Sequence, residues 1–347
     1  MTVEFECPAA TDGAIAAINL EGACRSAWVR FTENAFLPGA AESLIDMERL
    51  RGQFLGNPDA LDRLEMLGSQ FSDDTARAVL IKAEVASTAH RFDDARSHLA
   101  RAARLSAASE AVERQLLALD QACGVELDRV VDARRKIAAA RHRLEDLVPL
   151  GAVLADLERF DEADSVYRAA LQAYADVSPF PLAWVCFQLG MLWGELAPQA
   201  DQDLAARWYE LAIAYLPAYA KARVHLAEIR LSENRTADAE ALLLPALASR
   251  DPEVSWRLAD VLSAQERFEE AATQLCAAWR GFDRLVTQHP LAFADHAAEF
   301  YAGSGNNSER ALKLARMNVA NRPTRRAIEQ LRAIEAKTDE GAAARAA

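Results

Sequence analysis

The sequence predicts an all-α protein in which antiparallel helix pairs stack one after another into a superhelical solenoid. Its 347 residues are 51% hydrophobic with only 14 glycines and 12 prolines, and much of the apolar content is alanine, which favours closely packed helices. Apolar residues recur at helical spacing along most of the chain. A five-residue segment, which we call the box, also recurs; its copies are 91–95, 159–163 and 267–271, with a weaker one at 235–239.

The box is predicted to form a tight turn between two helices. Phe92 and Phe160, in the first two copies, lie 68 residues apart, which is twice a period of about 34 and typical of stacked repeats. The aromatic ring, which is Phe268 in the third copy, is expected to fill the corner between the helices. The two acidic residues fall in the first turn of the second helix, where the helix dipole favours negative charge. The paired carboxylates are therefore interpreted as capping groups, not as an acid–base pair.

Residues 1–41 precede the repeats. Residues 2–6 alternate like a short strand but fit a flexible tail equally well. Residues 14–19 and 26–36 are expected to form one or two short helices before the break at Pro38 and Gly39. The N-terminal segment is thus either a region of short helices or an arm that covers the groove of the solenoid.

Residues 42–323 contain about seven to eight helix pairs, each recognised by apolar stripes on two successive helices. The pairs are predicted at 42–68, 76–105, 110–143, 144–175, 183–217, 220–251, 252–285 and 291–323. Residues 324–336 read as a polar capping helix, which a stack of repeats requires at its end. Residues 338–347 are expected to form a frayed tail.

The pair at 183–217 carries the most specific pattern. Its residues are Cys186-x-x-Leu189-Gly190-x-x-Trp193, then Ala205-x-x-x-Tyr209-x-x-Ala212, then Pro217. This order resembles the tetratricopeptide repeat, which reads W-x-x-L-G-x-x-Y, then A-x-x-x-F, then P. The departures are Cys186 at the usual tryptophan position and about three extra residues near Pro198. The resemblance covers residues 42–336 and implies a right-handed superhelix whose concave groove binds proteins or peptides.

The resemblance also implies which side chains face that groove. In the pair at 183–217 they are Trp184, Phe187 and Met191, which share one helix face; in the following pairs they include Lys221, Glu228, Trp256 and Asp260. The helix that carries Trp184 is apolar on all sides, and such a helix is either fully buried or carries a binding surface. One interpretation is a pocket for a peptide or partner helix. The other is that the chain itself covers this face, for example with residues 1–40.

The charge distribution points to the chemistry of a partner. The formal net charge is −13, which repels nucleic acid and anionic membrane surfaces. Many inferred groove positions are acidic, namely Glu145, Asp156, Glu195, Glu228, Glu253, Asp260, Asp295 and Glu299. This pattern predicts a basic and amphipathic partner, while a solvated acidic face remains the alternative.

Signals for catalysis, metal or cofactor binding are poor, so none of these is expected. The five cysteines are scattered without a Cys-x-x-Cys pair, which argues against a disulfide framework or zinc site. His296 and Glu299 form only an isolated i, i+3 pair. An acidic N-terminus and the lack of a long apolar run predict a cytoplasmic protein.

The function predicted from these observations is that of a non-catalytic protein-interaction scaffold or adaptor. Two alternatives stay open. One is a ligand- or peptide-responsive regulatory protein, and the other is a helical accessory subunit of an enzyme complex.

Overall fold

The computed structural model describes residues 8–105 and 110–346, and within these ranges the chain forms helices and turns without a strand. The strand-like segment 2–6 lies outside the described residues. The helices are α1 Gly13–Glu33, α2 Ala40–Leu55, α3 Ala60–Ser69, α4 Ala76–Thr88, α5 Phe92–Leu105, α6 Glu110–Ala122, α7 Leu127–Arg141, α8 Leu144–Asp156 and α9 Phe160–Ala173. They continue with α10 Pro179–Met191, α11 Gln202–Tyr215, α12 Ala220–Ser232, α13 Thr236–Leu243, α14 Pro252–Ala264, α15 Phe268–Gln288, α16 Pro290–Ala302, α17 Ser308–Asn321 and α18 Arg325–Ala346.

The predicted all-α fold, built of successive antiparallel helix pairs, is confirmed. Each predicted range from 42–68 to 291–323 contains two helices. In seven of these eight ranges the two helices pack on one another, whereas in 110–143 the second helix, α7, packs on α8 instead of α6. The chain divides into two compact units. Residues 8–23 and 126–246 belong to unit 1, and the other described residues belong to unit 2.

Three elements differ from the expectation in detail. Within the N-terminal segment, Gly13–Glu33 form one continuous helix, α1, which joins the two stretches expected as short helices. The extra residues near Pro198 begin with a π-helical turn, Leu192–Leu196. The last helix, α18, runs to Ala346 where a frayed tail was expected, because residues 342–346 are mostly alanine, the strongest helix former.

The box geometry explains why the turn recurs. Glu158, before the box arginine Arg159, has a φ of 60° and ends α8 in the left-handed conformation. The backbone N–H of Arg159 then donates to the carbonyl of Leu154 at 2.9 Å, while its side chain donates to Glu162 at 2.6 Å. The other copies share the left-handed residue and the i, i+3 ion pair, at His90 with Arg91–Asp94, Asn234 with Arg235–Asp238 and Glu266 with Arg267–Glu270. In each copy the carboxylate at the fourth box position is thus engaged by the box arginine.

The phenylalanine of the box is buried in one copy and exposed in another. Phe92 is only 3% exposed and belongs to a hydrophobic cluster with Val112 and Leu119 of the next helix pair. Phe268, in contrast, is 66% exposed, so the expectation that it fills a helix corner is wrong. The box phenylalanine is the first residue of the second helix in its pair. It is buried only where a neighbouring helix packs over it, and the box motif does not determine which helix does so.

A buried carboxylate joins α1, α2 and α3 within unit 2. The Glu48 side chain is fully buried and accepts hydrogen bonds from Trp28 Nε1 at 2.7 Å and Arg63 Nε at 2.7 Å. Arg51 donates to the same carboxylate at 3.1 Å, and the Cys24 thiol lies 3.3 Å from it. Burial alone would raise the pKa of Glu48, but the hydrogen bonds from Arg63 and Trp28 and the charge of Arg51 outweigh it and lower the pKa below its usual value.

Candidate functional site

The helix pair α10–α11 in unit 1 is held together by a glycine against a tyrosine ring. A Cβ atom built on Gly190 would lie 2.4 Å from Cε1 of Tyr209, so only glycine permits this approach. The preceding pair, α8–α9, repeats the contact between Gly151 and Tyr167, where a Cβ would lie 2.7 Å from the ring. These are the glycine and aromatic positions of the repeat pattern, placed on facing helices. The fold of these helix pairs is tetratricopeptide-repeat-like.

The first helix of this pair, α10, is largely buried because α8, α9 and α11 all pack against it. Pro179 occupies the first turn of α10, where the missing N–H costs no hydrogen bond. The apolar character of α10 on all sides is thus explained mainly by burial within unit 1.

Phe187 lies at the centre of an aromatic cluster in this tetratricopeptide-like repeat. Its ring centroid is 5.2 Å from that of His225, 5.3 Å from Tyr219, 5.6 Å from Tyr209 and 6.0 Å from Trp184. Phe187 is 5% exposed and Tyr219 is fully buried, whereas Trp184 is partly exposed. The cluster is therefore an internal packing unit that reaches the surface at Trp184.

A charged group adjoins the cluster. His225 Nδ1 lies 2.6 Å from Glu195 Oε1 and 3.7 Å from Glu228 Oε2. At this distance a protonated imidazole forms an ion pair with Glu195, and Glu228 adds a second negative charge nearby. The imidazole side chain is 13% exposed, while the Glu195 and Glu228 side chains are 34% and 33% exposed. We call this group, with the aromatic cluster beside it, the His225 site; its members are Trp184, Phe187, Glu195, Tyr209, Tyr219, His225 and Glu228.

The π-helical turn after α10 positions Glu195. Trp193 Nε1 donates to Asp164 Oδ1 on α9 at 2.8 Å, which fixes one side of the turn. A Cβ on Gly194 would lie 3.0 Å from the Cβ of Ala205, so the turn packs tightly on α11. The next residue, Glu195, consequently faces His225. Single π-helical turns often occur at functional sites.

Helix α12 contributes His225 and Glu228 to the site and carries Lys221 on the same face. Lys221, His225 and Glu228 are spaced i, i+4 and i+7, so they share one helix face. Lys221 is partly exposed. The sequence placed Lys221 and Glu228 on this face, but it gave His225 no role. The same spacing rule, applied to α12, would have included the histidine.

The structure brings the predicted residues of unit 1 together only in part. Trp184 and Glu228 belong to the His225 site, and both are partly exposed. Phe187 and Met191 are 5% and 8% exposed, so they lie inside the unit and not at its surface. Whether any of these residues binds a partner remains a prediction.

Trp256 and Asp260, the predicted residues of unit 2, form a separate hydrogen-bonded chain. Trp256 is 3% exposed, and its Nε1 donates to Ser304 Oγ at 3.0 Å. Ser304 Oγ in turn donates to Asp260 Oδ1 at 2.7 Å. The Arg257 guanidinium carbon lies 3.6 Å from the centroid of the Trp256 ring. Burial raises the pKa of Asp260. This arrangement links α14 to the turn after α16.

In the part of the chain that the structure describes, we find neither a candidate metal site nor a candidate membrane-spanning helix. No group of three or more His, Cys, Asp or Glu residues there is placed to hold a metal ion. None of the described helices is both long and apolar enough to cross a membrane. Cys24, Cys123 and Cys186 are buried free thiols, and Cys276 is an exposed one.

No family model matches the sequence, and no curated protein matches it. Among the solved structures, the chain is 14% identical to one from the crystal structure of the APC/C hetero-tetramer Cut9–Hcn1, with a TM-score of 0.38. That match covers 86% of this chain and 63% of the other, so the chain spans less than two thirds of that relative. A second match is the C-terminal part of a TPR repeat-containing protein from Cytophaga hutchinsonii, at 14% identity and a TM-score of 0.31, covering 84% of this chain and 98% of that one.

Proposed function

We propose that this protein is a non-catalytic interaction scaffold that binds a peptide or partner helix at the His225 site of unit 1. The observation that supports it best is the pair of partly exposed carboxylates, Glu195 and Glu228, both within 3.7 Å of His225 Nδ1. Carboxylates in such a position offer acceptors to a cationic side chain of a partner. Trp184, whose ring lies 6.0 Å from that of Phe187 in the adjoining cluster, offers the amphipathic ring that often anchors an interface.

The partner proposed for this site is basic and amphipathic. The formal charge of −13 favours the approach of a basic partner, and opposite charges at the contact would fix its orientation. Apolar side chains of the partner would pack on Trp184, while arginine or lysine would face Glu195 and Glu228. Cytoplasmic location fits this proposal, because the described cysteines are free thiols.

A non-catalytic role fits the state of the imidazole. His225 is engaged at Nδ1 by Glu195, stacks on Tyr209 and meets the Phe187 ring edge-on. With 13% of its side chain exposed, little of the ring is available to a substrate. General acid–base catalysis requires direct reach to the reacting proton, which this packing disfavours.

The test is a selection of displayed random peptides on immobilised protein, followed by affinity measurement on the best synthetic peptides. We expect enrichment of sequences that combine arginine or lysine with leucine or aromatic residues. Trp184→Ala and Glu228→Gln should each weaken the selected peptides about tenfold or more. Asp132→Asn, which removes one exposed carboxylate from α7 of the same unit, serves as the matched control and should leave affinity unchanged. Selected peptides that bind both site variants as tightly as the wild type would refute the proposal.

A further inference from the structure

The charge of the His225 site depends on one group that titrates near neutral pH. Histidine is the side chain whose charge ordinarily changes between pH 5 and 8. His225 lies between two carboxylates from different elements, Glu195 on the π-helical turn and Glu228 on α12. With a neutral imidazole the two carboxylates carry two negative charges, and protonation of His225 cancels one of them.

We propose that His225 acts as an internal competitor for the cationic group of the partner, so that the site holds a basic peptide at neutral pH and releases it as the pH falls. This inference rests on the proposed function, since it concerns the same site. A guanidinium or ammonium group can satisfy Glu195 and Glu228 fully only when the imidazole between them is uncharged. The protonated imidazole and the cation of the partner repel one another and share the same acceptors.

The groups that face His225 determine the sign of the effect. Tyr209 from α11 stacks on the imidazole at 5.4 Å and its hydroxyl lies 3.5 Å from Glu195 Oε1, while Phe187 from α10 contributes no charge. Burial raises the pKa of Tyr219 well above its ordinary value, so this residue stays neutral. Lys221 lies one turn before His225 on the same face of α12. Among these groups, therefore, His225 is the one expected to change charge between pH 5.5 and 7.5.

The expected change in peptide affinity follows from the single positive charge that protonation of His225 places near the bound cation. Two unit charges about 6 Å apart in a partly exposed site interact by enough to change affinity about five- to tenfold. Salt weakens the effect, because both carboxylates are about one third exposed. Measurements at constant, low ionic strength therefore give the largest signal.

The probe is an 18-residue capped peptide with leucines on one helical face and arginines on the other. Its control is the same peptide with citrulline, the uncharged isostere of arginine, at every arginine position. Dissociation constants are measured by fluorescence anisotropy at pH 5.5, 6.5 and 7.5 for the wild type, His225→Gln and His142→Asn. His142 is an exposed histidine of unit 1 in the left-handed conformation, which asparagine tolerates.

We expect the wild type to bind the arginine peptide about five- to tenfold more weakly at pH 5.5 than at 7.5, and His142→Asn to do the same. His225→Gln should bind with the same affinity at all three pH values, and citrulline should abolish binding. Should His225→Gln fail to fold, calorimetry of the wild type in two buffers of different ionisation enthalpy replaces it. Proton release on binding at pH 6 is then expected, because linkage makes the competition reciprocal.

The outcomes separate this inference from the proposed function. Binding of the arginine peptide that is independent of pH, or a pH dependence that survives in His225→Gln, overturns the competitor role and leaves the binding site standing. If calorimetry shows no proton release on binding, the competitor role is likewise overturned and the binding site still stands. If neither peptide binds at any pH, and displayed peptides also fail to be selected, the proposed function itself is overturned.

Discussion

Gly190 and Tyr209 face each other across α10 and α11 so closely that a Cβ atom on Gly190 would lie 2.4 Å from the tyrosine ring. The neighbouring pair repeats this contact with Gly151 and Tyr167. Glycine in a helix interior is otherwise unfavourable, so these residues are present because of the approach they permit. The contact sets the spacing of α10 and α11, which contribute Trp184, Phe187 and Tyr209 to the His225 site.

We predict that Gly190→Ala destabilises unit 1 by about 1–3 kcal/mol, since the added methyl group must displace the Tyr209 ring or the helix backbone. Gly22→Ala in α1 is the matched control, because a Cβ there meets no atom within 4 Å. The control should stabilise the protein by about 0.5–1 kcal/mol through helix propensity alone. Urea unfolding followed by circular dichroism measures both, and equal stability of the two variants would contradict the prediction.

The two aromatic residues Trp184 and Phe187 should respond differently to truncation. Phe187 is 5% exposed with four rings around it, so Phe187→Ala should lower the free energy of unfolding by about 3–5 kcal/mol. Trp184 is partly exposed, and Trp184→Ala should cost clearly less. Thermal and urea unfolding check the order of the two variants. A loss of binding in Phe187→Ala therefore does not show that Phe187 contacts the partner, because the variant is destabilised. A loss of binding in Trp184→Ala that is still folded does indicate such a contact for Trp184.

The box phenylalanines offer a comparison within one motif. Phe92→Ala should destabilise unit 2 by about 3–5 kcal/mol, because the ring is buried in a hydrophobic cluster. Phe268→Ala should change stability by no more than about 0.5 kcal/mol, because 66% of that residue is in solvent. Hydrogen exchange of α4–α6 and α14–α15 reports the two sites separately. Similar losses at both would mean that Phe268 is covered in solution.

The buried Glu48 should make the stability of unit 2 depend on pH in the acid range. Its folded-state pKa lies below the ordinary value of 4.5, so the carboxylate stabilises the fold above that pH, and this contribution is lost as the pH falls from 4.5 toward the folded-state pKa. Glu48→Gln should cost about 3–5 kcal/mol at pH 7, since Arg51 and Arg63 lose their counter-charge. In the variant, the free energy of unfolding should also depend less on pH in the acid range.

Urea unfolding between pH 3 and 7, with hydrogen exchange of α1–α3, measures the Glu48 effect. Glu113→Gln is the control, because it removes an exposed carboxylate from α6 and should cost no more than about 0.5 kcal/mol. A Glu48→Gln variant with wild-type stability and an unchanged acid slope would show that the buried ion pairs contribute nothing.

Much of the candidate site was predictable because repeat register is a local property. Trp184, Lys221 and Glu228 were predicted as groove residues from the repeat register, with Glu195 as an acidic groove position, and the first three are partly exposed in the structure. The role of His225 depends on Glu195, which is 30 residues away in sequence but 2.6 Å away in space. The π-helical turn that brings them together has no signature in a 3.6-residue period.

By itself the sequence determined most of the helices, their pairing in seven of the eight predicted ranges and the box that joins them, because periodicity and first-turn carboxylates act over a few residues. Burial was decided only in the tertiary structure. Phe187 and Met191 lie inside the unit while Trp184 reaches its surface, and Phe92 is covered while Phe268 is exposed. Exposure depends on which distant helix packs over a residue, and that packing is set by the whole fold, not by the motif in which the residue occurs.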